Sequence, residues 1–422
     1  MSWILRDYQQ HAVDRAIQSI QYGSGNGLIV LPTGAGKSLV IAGITHALDG
    51  PCLIFQPTKE ILEQNANKLV GYGYDPQVYS ASLKSKEIGQ ITLATIGSVK
   101  DDPGLFDKFP YILIDEAHLV SAKTKKVDGE ERGGVYKEFL EALGDVRIIG
   151  LTATPYRLNT DGYGGSMLKF LTRTRPRIFT NVIAYAQISD LIEQGYLHRP
   201  EYQVVSGFNA QALQLNSTGA DYNDDSVKRY YNRIGFNDRV RRVVLRLMEI
   251  GRKNVLVFTR YVDEAEAIAA VVPQSAVVSA KTKPAQREAI IAGFRSGAIK
   301  VVANVGVLSI GFDFPELETV VLARPTLSLL LYYQQVGRLL RPHPAKHTAW
   351  VVDMVDQVRM FGKIEDLWLQ PGGKGKQWEM VTKVNGVSKS LTNVYFGDGR
   401  FRPRKWAKRG QKGQKYGHFS PY

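Results

Sequence analysis

Short, continuous runs of apolar residues alternate with longer amphipathic stretches over the first 154 residues of the chain. Apolar runs of this length, bounded by loops, are typical of parallel strands that helices cover on both faces. They predict strands at residues 27–31, 52–56, 91–95, 111–114 and 147–151, with helices between them such as 37–48. Together these elements predict one α/β lobe.

The same alternation begins again further along the chain. It predicts strands at residues 254–259, 275–280, 299–305, 319–324 and 349–354, which form a second α/β lobe. Between the lobes, residues 190–202 indicate a helix that ends in G-Y-L-H-R-P, and a polar stretch follows it. We therefore place the lobes at residues 1–198 and 199–358, with a C-terminal extension at 359–422.

The extension is basic and rich in glycine. Residues 371–422 contain twelve Lys or Arg and two acids, a net charge of +10. The runs 381–384 and 387–391 flank Asn385-Gly386, a pair typical of a β-hairpin turn. We expect a small β appendage here, followed by a flexible tail whose basic and aromatic residues contact nucleic acid, at Lys405, Trp406, Lys408 and Arg409. The alternative is that the aromatic residues pack the hairpin as a cap on the second lobe.

The charge of the whole chain supports a polyanionic partner. Its net charge is +14, which favours nucleic acid over an acidic membrane surface. Cys52 is the only cysteine, which excludes an intrachain disulfide and a multi-cysteine zinc site. No apolar run approaches the roughly 18 residues of a membrane span, and the first residues lack a leader pattern. We expect a soluble, cytoplasmic protein, in a bacterial cell or in the host cytoplasm if a phage encodes it.

The first chemical motif is P-T-G-A-G-K-S at residues 32–38, which lies between a predicted strand and a predicted helix. Such a loop cradles phosphates with its backbone amides, and its glycines allow a close approach. Lys37 supplies charge to the outer phosphates and the Ser38 hydroxyl binds Mg²⁺. The predicted phosphate-binding residues are Thr33, Gly34, Ala35, Gly36, Lys37 and Ser38.

The second motif is D-E-A-H at residues 115–118, directly after an apolar strand. The carboxyl end of such a strand borders the ligand crevice of a parallel sheet. Asp115 is predicted to hold Mg²⁺ partly through water, and Glu116 to orient and deprotonate the attacking water. Alone, such a pair could be a solvated turn, but together with the phosphate loop it predicts nucleotide hydrolysis.

The phosphate loop, D-E-A-H, T-A-T at 152–154 and Q-Q-V-G-R-L-L-R at 334–341, in this order, resemble helicase superfamily 2, the DEAD/DEAH-box helicases. The strings L-R-D-Y-Q-Q, G-L-T-A-T-P-Y-R-L, G-Y-L-H-R-P and S-I-G-F-D-F-P are similar to those of RadD-like proteins and phage branched-DNA helicases. The resemblance implies an α/β fold with two tandem RecA-like lobes and ATP with Mg²⁺ at their shared cleft. RadD-like proteins carry a cysteine-rich C-terminus that this chain lacks. The resemblance therefore does not extend to any preference for a partner or substrate that resides in that module.

The resemblance also assigns roles to further residues. Arg6 and Gln9 would contact adenine, and Gly311 and Asp313 would meet the ribose or relay the closed state. Gln334, Arg338 and Arg341 would reach the γ-phosphate from the second lobe. His118, Thr152 and Thr154 would couple the acids to the other lobe. Nucleic-acid contacts are expected from Pro57, Thr58, Lys59, Thr95, Ile96, Gly97 and Ser98, and from Thr259, Arg260, Asn304 and Val305.

The sequence therefore predicts an ATP-dependent DNA helicase or translocase that acts on single-stranded, forked or branched DNA in repair, recombination or replication. The branched substrate rests on the resemblance alone. One alternative is an RNA helicase, with RNA as the partner. The other is an ATP-gated clamp or loading module that binds nucleic acid without sustained unwinding.

Overall fold

A computed structural model describes residues 4–120, 125–127, 130–132, 134–160, 166–175, 177–307, 314–372, 377–384, 387–392, 394–397 and 400–403. In this part of the chain, two sheets of parallel strands follow one another, each covered by helices. The predicted α/β fold with two lobes is confirmed. Among the described residues, no helix is both long and apolar enough to cross a membrane.

The first lobe contains twelve strands and six α-helices among its described residues. The strands are β1 (Gly27–Val30), β2 (Cys52–Phe55), β3 (Gln77–Ser80), β4 (Ser85–Lys86), β5 (Ile91–Ala94), β6 (Tyr111–Ile114), β7 (Lys125–Val127), β8 (Glu130–Arg132), β9 (Arg147–Thr152), β10 (Tyr156–Thr160), β11 (Ser166–Phe170) and β12 (Asn181–Tyr185). The helices are α1 (Asp7–Tyr22), α2 (Lys37–Ala47), α3 (Lys59–Gly71), α4 (Ile96–Val99), α5 (Val135–Ala142) and α6 (Ile188–Glu193).

The main sheet of this lobe has the strand order β12-β1-β9-β6-β2-β5-β3-β4, and only the edge strand β4 is antiparallel to its neighbour. Every residue of β1 and β2 is buried, which explains why these strands are continuously apolar. Phe139 of α5 packs edge to face on Phe55 and on Phe106 beneath the sheet. Since the strands are parallel, the loops after β1, β6 and β9 meet at one edge.

The second lobe has six strands and six α-helices among its described residues. The strands are β13 (Glu201–Val204), β14 (Val255–Phe258), β15 (Ser275–Ser279), β16 (Val301–Val305), β17 (Thr319–Leu322) and β18 (Trp350–Asp353). The helices are α7 (Asp224–Ile234), α8 (Phe236–Glu249), α9 (Val262–Ala269), α10 (Pro284–Ser296), α11 (Leu329–Gly337) and α12 (Gln357–Phe361). The sheet is wholly parallel in the order β13-β18-β17-β14-β16-β15.

The connection between the lobes differs from the predicted helix at residues 190–202. Helix α6 begins at Ile188 and already ends at Glu193, so the second half of that prediction was wrong. Gly195 adopts a left-handed backbone (φ +73°), a conformation that ends a helix. The chain passes to the second sheet at β13, which pairs with β18 and begins two residues after Arg199.

The part of the C-terminal extension that the structure describes forms five strands: β19 (Leu367–Gly372), β20 (Gln377–Val384), β21 (Val387–Ser390), β22 (Val394–Gly397) and β23 (Arg400–Pro403). Strands β19, β20 and β21 make an antiparallel sheet, and Val384 pairs with Val387. The predicted hairpin across residues 385–386 is thereby confirmed. Strands β22 and β23 join β10 and β11 of the first lobe in a four-stranded sheet.

The extension touches both lobes. The side chain of Gln187 donates to the carbonyl of Leu369 (2.6 Å) and accepts from its amide (3.1 Å). In the second lobe, the Tyr332 hydroxyl donates to the carbonyl of Gly362 (2.7 Å). The extension is therefore not only a cap on the second lobe, which was the alternative interpretation of its aromatic residues.

Candidate active site

The phosphate loop connects β1 to α2 and has two glycines in the left-handed region, Gly34 (φ +87°) and Gly36 (φ +79°). Residues with a Cβ rarely adopt this backbone. A Cβ at Gly36 would also lie 2.5 Å from Nε2 of Gln9. Helix α2 begins at Lys37, so the loop presents the amides of a helix N-terminus. The local structure thus has the geometry of an anion cradle.

A cavity of about 280 Å³ lies next to this loop, and both lobes line it. The cavity brings together residues from all four motifs of the sequence. The predicted site residues that line it are Thr33, Gly34, Gly36, Lys37, Ser38, Asp115, Glu116, Thr154, Gln334, Arg338 and Arg341. Ala35 belongs to the loop but is fully buried behind it.

Glu116 is held by cationic and polar neighbours. Lys37 Nζ lies 3.4 Å from Oε1 of Glu116, and His118 Nδ1 lies 3.2 Å from its Oε2. Burial opposes the charge on this carboxyl, but Lys37 and His118 outweigh it, so the pKa of Glu116 falls below its usual value. His118 Nδ1 is also 3.0 Å from the hydroxyl of Thr152. Glu116 therefore stays ionised and is connected to the T-A-T segment through His118.

Asp115 is held by a different residue, Asn65 of α3. The Asn65 amide donates to Oδ2 of Asp115 (3.2 Å) and to Gln56 (2.9 Å), and its oxygen accepts from the Ser38 hydroxyl (2.8 Å). Burial raises the pKa of Asp115, and the neighbouring charge of Glu116 raises it further. Asn65 thus fixes the hydroxyl and the carboxyl that the sequence assigns to Mg²⁺, a role that its position in the sequence did not indicate.

The second lobe approaches the loop closely. A Cβ on Gly337 would lie 3.1 Å from Cβ of Thr33, and a Cβ on Gly34 would lie 3.1 Å from Cγ of Arg341. Burial lowers the pKa of Arg338 and of Arg341 to about 10, and in Arg338 the charge of Glu116 opposes this effect. Both arginines line the cavity together with residues of the first lobe.

One face of α3 completes the cavity and was missed in the sequence. Four residues of α3 line it at the spacing that places residues on one face of a helix, and Tyr72 follows directly after the helix; the four are Ile61, Gln64, Asn65 and Lys68. Burial lowers the pKa of Lys68, and the nearby charge of Arg341 lowers it further. The signal in the sequence that could have indicated this face is the set of polar residues at helical spacing, where apolar residues would face a core.

The two residues expected to contact adenine are engaged elsewhere. Gln9 accepts from the amide of Arg6 (3.0 Å) and donates to the carbonyl of Ala35 (3.0 Å), so its amide supports the phosphate loop. The guanidinium of Arg6 lies 4.3 Å from the centre of the Tyr196 ring. Neither residue lines the cavity. Gly311 and Asp313 lie outside the described residues.

The nucleic-acid residues expected in the first lobe lie in two neighbouring loops. Residues 57–59 follow β2 and residues 95–98 follow β5, and these strands are adjacent. Lys59 and Gly97 are exposed. The Thr58 hydroxyl caps α3 by accepting from Ile61 (3.3 Å), and the hydroxyls of Thr95 and Ser98 are 2.9 Å apart. The loops form one polar edge of the lobe.

The residues of the second lobe that are expected to contact nucleic acid lie at the ends of β14 and β16. The side chains of Thr259 and Asn304 are buried in the sheet, and Arg260 donates to Asp224 (2.8 Å) and to the carbonyl of Tyr222 (2.8 Å). Thr259 and Asn304 are therefore covered by the lobe, whereas Arg260 is half-buried beside Asp224. Val305 is half-buried. Lys405, Trp406, Lys408 and Arg409 lie outside the described residues.

Comparison with known proteins gives matches on both lobes. Residues 2–157 match the family model of the type III restriction enzyme res subunit, and residues 238–343 match the helicase conserved C-terminal domain. A "51.5 kDa protein" of Lactococcus phage (isolate 7-9) is 28% identical over 335 residues, 78% of this chain and 65% of that protein. The DNA 3'-5' helicase XPB of Mycobacterium tuberculosis is 26% identical over 352 residues, 81% of this chain and 58% of that protein.

A solved structure shows the same fold. The ATP-dependent Type ISP restriction-modification enzyme LlaBIII, bound to DNA, superposes with a TM-score of 0.59 at 17% identity, over 84% of this chain and 28% of that one. The chain spans less than two thirds of the length of the two curated relatives and of this enzyme. The two family matches fall on the two lobes in chain order, around the motifs that meet in the cavity. Both matches agree with the resemblance to helicase superfamily 2 that the motifs indicate.

Proposed function

We propose that the chain is an ATP-driven DNA motor, a helicase or translocase that hydrolyses ATP between its lobes. One observation carries the proposal. Lys37 and Glu116 of the first lobe and Arg338 and Arg341 of the second line the same cavity. Charge neutralisation and positioning are what phosphoryl transfer requires of a protein, and this set of residues supplies both.

The residues present fit a triphosphate with Mg²⁺. The glycine cradle leaves room for phosphate oxygens, and Lys37, Lys68, Arg338 and Arg341 place four cations around the cavity. Ser38 and Asp115, joined through Asn65, form a hydroxyl and carboxylate pair suited to a hard cation. Mg²⁺ in this place would neutralise charge on the phosphate oxygens.

Glu116 is the residue that would accept the proton of the attacking water. Its lowered pKa keeps it ionised at neutral pH, and Lys37 and His118 fix its two oxygens. A positioned base of this kind contributes roughly 10² to 10⁴ in rate. The contact of His118 with Thr152 gives the base a connection to the segment that follows β9.

The arginines come from the other lobe, so hydrolysis depends on the lobes lying together. Arg338 and Arg341 would stabilise charge in the transition state, and separation of the lobes would withdraw them. Cycles of closure and opening can move the protein along a strand held at the loops after β2 and β5. DNA as the track is supported by the names of a relative and of a structural neighbour. Forked or branched DNA rests on the family resemblance.

The test is ATP hydrolysis by the purified protein with no nucleic acid, single-stranded DNA, forked DNA and matched RNA, at two salt concentrations. We expect stimulation by DNA, strongest with the fork, and its loss in Lys37→Ala and in Glu116→Gln. Strand displacement is measured in parallel on the fork. Stronger stimulation by RNA would assign the motor to RNA. Absence of stimulation would favour the ATP-gated clamp. A Glu116→Gln variant that still acts on nucleic acid as the unchanged protein does would also favour it.

A further inference from the structure

A second group of basic side chains lies on the first lobe, outside the cavity between the lobes. Residues 156–180 contain five Lys or Arg and one acid, Asp161. This segment includes the hairpin of β10 and β11 and leads to β12. The basic residues are Arg157, Lys169, Arg173, Arg175 and Arg177. None of the sequence motifs includes Lys169 or the three arginines after it.

Three of these residues line one cleft of about 190 Å³, which we call the basic cleft: Arg157, Lys169 and Arg175. Among the described residues that line it, there is no Asp or Glu. Arg175 is exposed, and the other two are half-buried. The cleft therefore concentrates positive charge in a concave surface open to solvent.

Two of these cations are neighbours in the hairpin of β10 and β11. Arg157 and Lys169 are directly opposite each other in the antiparallel pair of β10 and β11. The Cβ atoms of such a pair are about 4.5–5.5 Å apart, and like charges at this distance destabilise a sheet. The guanidinium of Arg157 donates to the carbonyl of Val120, and burial lowers the pKa of this arginine. A phosphate bound in the cleft would meet both cations.

A separate observation indicates that the anion is long. The other edge of β11 pairs with β22, so the basic C-terminal extension continues the sheet that forms the cleft. Arg400 and Arg402 lie in the next strand, β23, and residues 404–422 add six Lys or Arg and no acid. Such an extent of positive charge suits a polymer of phosphates better than a small phosphate compound.

We propose that the basic cleft binds the phosphodiester backbone of a DNA duplex arm. The proposal rests on the proposed function, since it gives the motor a second contact with its substrate. The only aromatic side chain that lines the cleft among the described residues is Phe179, and it is buried. Single-strand sites usually stack bases on exposed aromatic rings, which the cleft lacks. Contacts to phosphates alone suit a duplex of any sequence.

The position of the cleft agrees with a second DNA segment. Apart from Val120, the residues that line it lie in the connection from β9 to β12, whereas the loops expected to hold the single strand follow β2 and β5. The duplex arm would therefore lie beside the strand on which the motor moves.

The experiment measures the binding of the full chain to a blunt DNA duplex, and to single-stranded DNA of the same length, over a range of salt concentrations without nucleotide. The variant is Lys169→Gln/Arg175→Gln. The matched control, Arg246→Gln/Lys253→Gln, removes two exposed cations from the second lobe. Removal of two cations that bind phosphates should reduce the salt slope for the duplex by about 1.8, at about 0.9 per neutralised phosphate. Duplex affinity at low salt should fall on the order of tenfold, with single-strand binding unchanged.

The charge-conserving variant Lys169→Arg/Arg175→Lys should retain the wild-type slope, and thermal unfolding of each variant shows that it is folded. An unchanged duplex slope in the Gln variant, or an equal loss of affinity for single-stranded DNA, would overturn the proposal. Displacement of the duplex by inorganic phosphate at constant ionic strength would also overturn the proposal, because the cleft would then bind a small anion. Stimulation of ATP hydrolysis by single-stranded DNA tests the motor separately, so either idea can fail alone.

Discussion

The contact between Gly337 and Thr33 offers a direct test of the closed arrangement of the lobes. Gly337 is the last residue of α11, and its backbone is not in the left-handed region, so alanine can adopt the same conformation. A Cβ there would lie 3.1, 3.2 and 3.6 Å from three side-chain atoms of Thr33. Gly337→Ala therefore adds one methyl group at the place where the lobes meet.

Two effects act on this variant in opposite directions. Two of the new contacts are a few tenths of an ångström shorter than the optimal 3.5–4.0 Å, and overpacking costs about 1–3 kcal/mol. Since a threonine side chain can shift a little, we take the lower end, about 1 kcal/mol, and only the closed state bears it. Alanine in place of glycine favours the helix by up to about 1 kcal/mol whether the lobes are closed or open.

We therefore expect kcat/KM for DNA-stimulated ATP hydrolysis to fall about fivefold in Gly337→Ala, the rate equivalent of about 1 kcal/mol. The midpoint of thermal unfolding should not decrease. Gly71→Ala is the matched control, because Gly71 is also the last residue of a helix and a Cβ there meets nothing within 4 Å. Equal hydrolysis by the two variants would refute the closed contact, and a lower unfolding midpoint in Gly337→Ala would show that the methyl group damages the fold instead.

Three further predictions concern the metal site and the tail. Asn65→Ala removes the bridge between Ser38 and Asp115, so the Mg²⁺ concentration for half-maximal hydrolysis should rise about tenfold; an unchanged Mg²⁺ requirement would exclude this bridge as a support of the site. Because the pKa of Asp115 is raised, it takes up a proton as the pH falls towards 6, while Glu116, whose pKa is lowered, stays charged. The Mg²⁺ requirement should therefore increase as the pH falls from 8 to 6, and a rate that declines equally at saturating Mg²⁺ would point to another group. Deletion of residues 404–422 should reduce the salt slope of DNA binding by about 0.9 for each phosphate that the tail neutralises, and an identical slope would show that the tail does not touch DNA.

The buried strands could be predicted because a strand covered on both faces must be apolar throughout. All residues of β1, β2, β14 and β17 are buried. The edge strand β12 was missed because only Val182 and Ala184 of its five residues are buried, which gives no continuous apolar run. The helix before β13 was predicted too long because its polar residues fit a helix, while the decisive feature is the left-handed backbone of Gly195.

The cavity could be predicted only where a motif carries its own chemistry. Lys37, Glu116 and Arg338 belong to such motifs, and they do meet. Asn65 acts through three partners that are distant in the sequence, so its function depends on the folded sheet. Arg260 is the opposite case, because its charge indicated a contact with nucleic acid. In the fold it forms ion pairs with Asp221 and Asp224.

The C-terminal extension limits how the lobes can move apart. Gly362 is bonded to α11 of the second lobe and Leu369 to Gln187 of the first, and these anchor points are seven residues apart (369 − 362). A fully extended chain of seven residues spans about 23–25 Å, which sets the greatest separation of the two anchors while both bonds persist. Near the anchors the lobes can therefore rotate or slide but not part widely. Withdrawal of Arg338 and Arg341 from the cavity therefore requires rotation or sliding of the lobes rather than a wide separation.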